Sequence, residues 1–350
     1  MGKPIKGDDS MTPREEKASV FISGTDWAGC ARSALAGDAS NRRYERLRSK
    51  TGAQAVLMDA SPEKGEDVAP FMRIARYLRD IGLSAPRILA EDRENGFLLL
   101  EDLGDDLFAR VAQAQPDLEN TLYQAATDTL IALHAEKPPA LAAYDSNIMT
   151  DMAALAFDWY QKGAVGQTDQ QAKSAFRSAF HAALTDHIAA PTVLIQRDYH
   201  AENLLWLPER NGVARVGLLD FQDAMVGHPA YDLVSLLQDA RRDVPPALEQ
   251  AMLSYYIERA QVEPESFRAS YALLGLQRNL RILGVFARLC LKSGKPGYID
   301  MIPRVWEFIE RNLQHPALQH LGPLITGPLP APNPEILSKL RTQCATPQPA

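Results

Sequence analysis

The chain has 350 residues, with 37 Lys and Arg against 44 Asp and Glu, for a formal net charge of −7. That mildly acidic balance excludes the basic surface by which proteins hold nucleic-acid backbones or anionic membranes. Hydrophobic residues at 46% and charged residues at 23% describe a chain that folds, and at this length one core usually divides, so two lobes are expected.

Cys30, Cys290 and Cys344 are odd in number, widely spaced and without a CxxC pair, which argues against a disulfide framework or a zinc knuckle and for a reducing compartment. No window approaches the ~18 apolar residues of a membrane helix, and the first residues lack the apolar stretch of a signal peptide, so a cytoplasmic location is expected. The first sixteen residues are polar and aperiodic and read as a loose leader within residues 1–29, with room for a short helix.

From about Leu35 the pattern turns to short strands. Arg43 to Leu47 and Ala55 to Met58 flank Lys50-Thr51-Gly52 and predict a hairpin. Phe71, Ile74, Ala75 and Leu78 recur at helical spacing behind Pro70 and predict a helix. Arg87 to Ala90 and Phe97 to Leu100 predict two further strands around Asn95-Gly96. Residues 30–101 thus read as a β-rich lobe of order β-β-α-β-β.

Beyond Glu101-Asp102-Leu103-Gly104-Asp105-Asp106 the pattern is helical. Leu118, Leu122, Ala125, Ala126, Leu130 and Leu133 trace one face as far as His134. Val193 to Ile195, Leu204 to Leu207 and Val213 to Leu219 read as strands, and helices follow to about Leu313. Residues 102–321 form this second lobe. The segment 322–350 is rich in proline and is expected to be an extended tail with at most a short helix near Ile336 to Leu340.

Three polar residues stand where short strands would position them: Asp198, Asn203 and Asp220. A hairpin returning Asp220 toward the 198–203 loop would converge two carboxylates and an amide. Hard oxygen ligands of this kind suit Mg²⁺ together with nucleotide phosphates, and an unliganded carboxylate, Asp198, suits the base that accepts an acceptor's hydroxyl proton. A lone acid at a strand end is ordinarily a turn cap, but three groups in register favour a site.

Asp198-Tyr199-His200-Ala201-Glu202-Asn203 followed by Leu218-Leu219-Asp220-Phe221-Gln222-Asp223 resembles the aminoglycoside and choline phosphotransferases, relatives of the protein kinases. The resemblance spans roughly residues 30 to 315 and implies an α+β, bilobal, protein kinase-like fold. It also implies that ATP is the donor, that Asp198 is the catalytic base, that Asn203 and Asp220 bind Mg²⁺, and that backbone groups of Glu101 and Leu103, beside Asp102, hold adenine. Gly37-Asp38-Ala39-Ser40-Asn41-Arg42-Arg43-Tyr44, Val56-Leu57-Met58-Asp59-Ala60 and Leu276-Gln277-Arg278-Asn279-Leu280 look more particularly like the bacterial cell-wall sugar kinases that phosphorylate the anomeric hydroxyl of N-acetylmuramate and N-acetylglucosamine.

The chain departs from the kinase pattern at Met58, where the third strand of a kinase carries a phosphate-binding lysine. Arg43, or failing that Lys64, is expected to supply that charge, with Ser40 and Asn41 as further phosphate donors; the partner acid is one of Glu63, Glu66 and Asp67. Gln196 stands where many relatives have His. His200 reads as loop scaffold and Asp232 as a helix cap that braces the catalytic loop. Asp223 is a candidate for a second metal or the substrate, with a turn cap as the plainer role. Among Arg278, Arg281 and Arg288, ordinarily solvated helix arginines, Arg278 is the candidate to pair an acceptor carboxylate.

The expected protein is therefore a monomeric or homodimeric small-molecule kinase whose partner is a hydroxyl acceptor, an amino sugar, with no nucleic acid or membrane partner. An aminoglycoside, choline or homoserine is the alternative acceptor. A silent nucleotide-binding scaffold is the alternative of another class.

Overall fold

The computed structural model describes residues 11–35, 41–188 and 190–345, so the start of the expected leader and Ser40 lie outside the described residues. Two units are distinguished: Met1–Asp105 with Gly217–Gln222, and Asp106–Val216 with Asp223–Ala350.

The first unit holds α1 (Pro13–Ser23), β1 (Ala31–Leu35), β2 (Arg43–Arg48), β3 (Gln54–Asp59), α2 (Ala69–Asp80), β4 (Ile88–Asp92) and β5 (Phe97–Glu101). The strands form one antiparallel sheet of order β1-β2-β3-β5-β4. The turn after β2 closes with Ser49 N donating to Ala53 O at 2.9 Å, and Gly52 takes φ 88, which only glycine adopts without strain. In the β4–β5 turn Gly96 has φ 72, and a Cβ there would run into the Ala60 carbonyl, whose own N–H donates to Gly96 O at 2.9 Å. The expected face of α2 is buried: Phe71, Ile74, Ala75 and Leu78, joined by Met72.

Part of the expected leader is helix. Thr12 caps α1 in a reciprocal box with Glu15, Thr12 N donating to Glu15 Oε2 at 2.7 Å and Glu15 N to Thr12 Oγ1 at 3.3 Å. Ala18 and Ile22 then pack with Leu47, Ala55, Leu57, Phe97 and Leu99 on the sheet. A polar first turn hides this helix from a hydrophobic scan. Strand β1 has no buried residue and no alternation, so it too escapes the sequence; only its pairing with β2 defines it.

Gly217–Gln222 completes the first unit, with Leu218 N donating to Ser84 O at 2.9 Å and Phe221 stacked on Phe71 at 4.9 Å between centroids.

The second unit is mainly helical. It contains α3 (Phe108–Ala114), α4 (Glu119–Ala135), α5 (Ser146–Ala153), a π-helical turn (Ala156–Gln161), α6 (Lys162–Val165), α7 (Gln170–His187), β6 (Val193–Ile195) and β7 (Leu204–Trp206). After β8 (Val216–Leu218), which runs from this unit into the first, come β9 (Met225–Gly227), α8 (Ala230–Leu237), α9 (Pro246–Ala260), α10 (Pro264–Ser293), α11 (Ile302–Leu313), α12 (Gly322–Thr326) and α13 (Pro334–Thr342). The strand expected from Val213 is only half present, because Gly212–Arg215 is a 3₁₀ turn. β9 was not expected; it pairs antiparallel with β6, Leu194 opposite Val226.

α10 is the spine of this unit, with Leu273, Leu274, Leu276, Leu280 and Leu283 fully buried. The proline-rich end is helical and docked rather than extended. Pro323 and Pro334 occupy first helical turns, where a missing N–H costs nothing, and Asn333 caps α13 by accepting from Ile336 N at 2.9 Å. Leu340 is fully buried, and Cys344 Sγ reaches Cys290 O at 3.0 Å, so two cysteines distant in sequence meet here as free thiols. Among the described residues no helix is long and apolar enough to cross a membrane.

Candidate active site

The loop after β6 carries the motif. Val193, Leu194 and Ile195 are buried, so the chain leaving the strand is held and its next residues are aimed. Arg197 turns with φ 73, a left-handed conformation unusual for a residue with a Cβ. Asp232, fully buried within α8, holds that turn: its carboxylate accepts from Gln196 N at 2.6 Å and Arg197 N at 2.9 Å. Burial pushes its pKa up to about 7 against the pull of those two N–H bonds. Asp232 lies inside α8 and does not cap it, so of the two expected roles it has the bracing one.

Asp198 follows, partly exposed. Burial raises its carboxyl, but Arg281, then Arg278, His200 and Arg197 outweigh this and leave the pKa below the ordinary value. Asn203 is tied to it, its Nδ2 donating to Asp198 O at 2.9 Å while its N–H donates to His200 O at 2.8 Å. The amide nitrogen is thus committed to the loop, and the amide oxygen is a hard donor that could serve a magnesium ion. Tyr199 anchors the loop from below, its hydroxyl donating to Ala126 O at 2.9 Å. His200 is 4% exposed and burial takes its pKa down to about 4, so it is neutral; its Nε2 faces Arg241 Nη1 at 3.3 Å. This is a scaffold, not a base.

Asp220 ends the Gly217–Gln222 segment of the first unit with φ 55, a conformation that aspartate tolerates better than most residues. Gln222 Nε2 donates to its Oδ1 at 2.6 Å. The Asp220 carboxylate in the first unit and the Asn203 amide oxygen in the second are each hard oxygen donors of the kind magnesium takes. Among the described residues no group of three or more His, Cys, Asp and Glu could hold a metal ion. Asp223 is exposed and its carbonyl accepts from Arg197 Nη1 at 3.3 Å.

In the first unit Met58 is fully buried, opposite Tyr44 and Leu98, and is a core residue. The three candidate acids separate cleanly. Glu63 faces Lys17 at 3.8 Å, Asp67 caps Ala69 N at 2.8 Å, and Glu66 accepts from Arg42 Nε at 2.9 Å. The inward arginine is thus Arg42, with side chains 10% and 16% exposed in the pair, whereas Arg43 is exposed on β2 opposite Asp59 and Lys64 is exposed in a 3₁₀ turn, where its carbonyl accepts from Asn41 Nδ2 at 3.4 Å. Arg42 was not singled out from the sequence, since two adjacent arginines at a strand start are indistinguishable until one is turned inward.

Glu101 ends β5 with its N–H donating to Arg87 O at 2.8 Å, and Leu103 follows at 8% exposure. Arg46 grips this linker: Nε donates to Asp102 Oδ2 at 2.6 Å and Nη1 to Asp105 Oδ2 at 2.7 Å. Gly104 N also donates to Asp102 Oδ1 at 2.9 Å.

Arg278 does not stand where an acceptor would meet it. It is 2% exposed, and its Nε and Nη1 are buried without a hydrogen-bond partner.

A five-stranded antiparallel sheet with two helices, a mainly helical second unit, and an Asp-x-x-x-x-Asn loop after a strand define a protein kinase-like fold carrying phosphotransferase chemistry. The solved structure of a choline/ethanolamine kinase family protein from Mesorhizobium loti superposes with a TM-score of 0.61 at 15% identity, covering 94% of this chain and 99% of that one. Residues 32–268 match the phosphotransferase enzyme family, and the chain belongs to it. Two relatives are both named N-acetylmuramate/N-acetylglucosamine kinase. That of Caulobacter vibrioides is 39% identical over 346 residues, covering 88% of this chain and 94% of its own, and that of Pseudomonas aeruginosa is 35% identical over 300 residues, covering 83% and 86%.

Proposed function

We propose that this phosphotransferase moves the γ-phosphoryl group of ATP to the anomeric C1 hydroxyl of N-acetylmuramate or N-acetylglucosamine. The observation that carries the reading is the match, over most of both chains, to relatives that bear this name. The Asp198 loop supports it from the chemical side. A carboxylate held below its ordinary pKa by arginines is ionised at neutral pH and able to accept a proton.

Asp198 orients the sugar hydroxyl and takes its proton as the C1 oxygen bonds to the γ-phosphorus and the bond from that phosphorus to the β,γ-bridging oxygen breaks, releasing ADP. Asn203 and Asp220 would hold magnesium, which would supply neutralisation of the charge on the β- and γ-phosphates. Glu101 and Leu103 offer backbone groups to adenine, Ser40, Asn41 and Arg43 donors to phosphate, and Asp223 a contact to the acceptor. Arg42, fixed by Glu66, is the better placed phosphate cation.

The test is ATP consumption with magnesium against N-acetylmuramate, N-acetylglucosamine, an aminoglycoside, choline and homoserine. A sugar 1-phosphate is the expected product, and Asp198→Asn is expected to lower kcat at least about 1,000-fold with nucleotide affinity nearly unchanged. Turnover of choline or an aminoglycoside with neither sugar consumed would overturn the acceptor assignment. Undiminished turnover by Asp198→Asn would overturn the base.

A further inference from the structure

α10 brings two arginines one turn apart into the electrostatic surroundings of Asp198, and the two are not equivalent. Arg278 is closed off, 2% exposed, and surrounded by the charges and phenols of Tyr231, Asp198 and Asp239. Arg281 keeps partial access to solvent. None of its nitrogens is both buried and without a partner, and Nη1 approaches the Tyr231 hydroxyl at 3.4 Å.

The wall beside Arg281 is aromatic and ordered. Tyr144 and Tyr231 meet edge to face at 5.1 Å between centroids, and the Arg197 guanidinium lies 5.6 Å from the Tyr144 ring. Gln277 Nε2 donates to the Tyr144 hydroxyl at 3.2 Å, which fixes that ring. Burial alone would weaken the charge of Arg281, but Tyr231, Asp198 and Tyr144 more than restore it. The result is a permanently charged planar fork on a rigid helix, half withdrawn from water, whose only close hydrogen bond among the described residues is a long one to a phenol.

A guanidinium so placed has lost hydration that a phenol at 3.4 Å does not return, and a carboxylate returns it best, through two parallel N–H···O bonds. The acceptor must bring its reacting hydroxyl within hydrogen-bond reach of Asp198. Arg281 reaches Tyr231, whose chain neighbour Asp232 holds the N–H of Arg197 immediately before Asp198, so substituents on a sugar whose hydroxyl meets Asp198 have Arg281 on their side of the loop.

We propose that Arg281, not Arg278, determines specificity for the acidic acceptor by pairing with its carboxylate, with Arg278 supporting it from the buried side. The inference rests on the amino-sugar reading above and assigns a role within it. N-acetylmuramate carries a carboxylate on its lactyl ether, and N-acetylglucosamine is the same ring without it, so the two sugars isolate the contact.

The experiment compares steady-state kinetics of the wild type, Arg281→Gln, Arg281→Lys and Arg278→Gln on both sugars at saturating ATP. Arg281→Gln is expected to raise KM for N-acetylmuramate about 30-fold, the weight of a charge-assisted pair of about 2 kcal/mol. Its KM for N-acetylglucosamine should stay within about 3-fold, which also shows that the variant folds, and any fall in kcat from lost support of the Asp198 charge should be the same on both sugars. Arg281→Lys should recover part of the loss, and Arg278→Gln should affect both sugars alike and lower Tm. Equal losses on both sugars in Arg281→Gln would overturn the inference and place the arginine on the transferred phosphoryl group; no loss on either would overturn it as well. If the wild type consumes neither sugar, the amino-sugar reading fails and this inference with it, an outcome distinct from retained N-acetylglucosamine turnover without the selective loss.

Discussion

The Asp232 carboxylate accepts the backbone N–H of Arg197 at 2.9 Å and so holds, from α8, the left-handed turn that precedes Asp198, the proposed base. A second bond, to Gln196 N at 2.6 Å, makes the grip bidentate and removes two buried donors from water. Asp232→Asn keeps the shape but sets an amide N–H₂ against one of those donors. Leaving one buried N–H unmatched should cost about 1–3 kcal/mol in a urea melt. We expect kcat to fall at least tenfold as the turn relaxes, while KM for ATP changes little. Unchanged kcat in a variant of reduced stability would show that the turn keeps its shape without the carboxylate.

Arg42 and Glu66 provide a test of the missing strand lysine. If Glu66 acts by holding Arg42, then Arg42→Ala, Glu66→Ala and the double variant should raise KM for ATP to similar extents, since removing either breaks the same device. Arg43→Ala, an exposed neighbour, should stay within about 3-fold of the wild type. Independent, additive losses from Arg42 and Glu66 would separate their roles.

Three histidines largely withdrawn from water set the acid limit of stability. Burial lowers His134 to about 3, His200 to about 4 and His228 to about 4, well below the value of an exposed imidazole. Above pH 6.5 all are neutral in both folded and unfolded chains. As pH falls through 6.5 the unfolded chain takes up protons that the fold refuses, so stability declines. Asp232 acts in the opposite sense: its pKa near 7 means the fold retains a proton that the unfolded chain releases, which adds stability between pH 7 and pH 4. Three groups against one leave a net loss of about 3 kcal/mol from pH 7 to pH 5. Thermal melts at the two pH values should show a lower Tm at pH 5, and the difference should shrink in His134→Gln. A Tm that does not change would contradict the neutral assignment.

Gly284 is required by contact rather than by φ. A Cβ at this position on α10 would strike the backbone carbonyl of Leu155, at the entry to the π-helical turn, and backbone cannot swing aside. Gly284→Ala should lower stability by about 1–3 kcal/mol, and Gly297→Ala, where a Cβ meets nothing within 4 Å, is the matched control. Similar melts for both would show that Leu155 moves.

Much of the site was legible along the chain because it is local. Asp198 and Asn203 are five residues apart in one loop, and the strand before them is a run of apolar residues, so spacing and periodicity suffice to place them. α2 was legible for the same reason: its buried face repeats at helical intervals. Three elements were less legible. α1 opens on polar residues that cap rather than pack; β1 buries nothing; β9 is three residues long and is a strand only because Val226 lies opposite Leu194. At the proline-rich end the short helix expected near Ile336 to Leu340 is present as α13, and α12 before it was not expected, although proline at a first helical turn is compatible with a helix start.

The sequence by itself determined the reaction class, since the Asp, Asn and Asp that phosphoryl transfer needs are named by local order and flanking strands. Which cations serve them was decided by tertiary structure. Arg42 and Arg43 are neighbours in the chain, and only the approach of Glu66 selects Arg42; Arg46 becomes a linker clamp only because Asp102 and Asp105 reach it. Arg278 and Arg281 lie one turn apart on the same helix, and helical periodicity treats them alike. Packing buries the first and leaves the second partly open, because the water that remains at a side chain depends on everything folded against it, which no local pattern records.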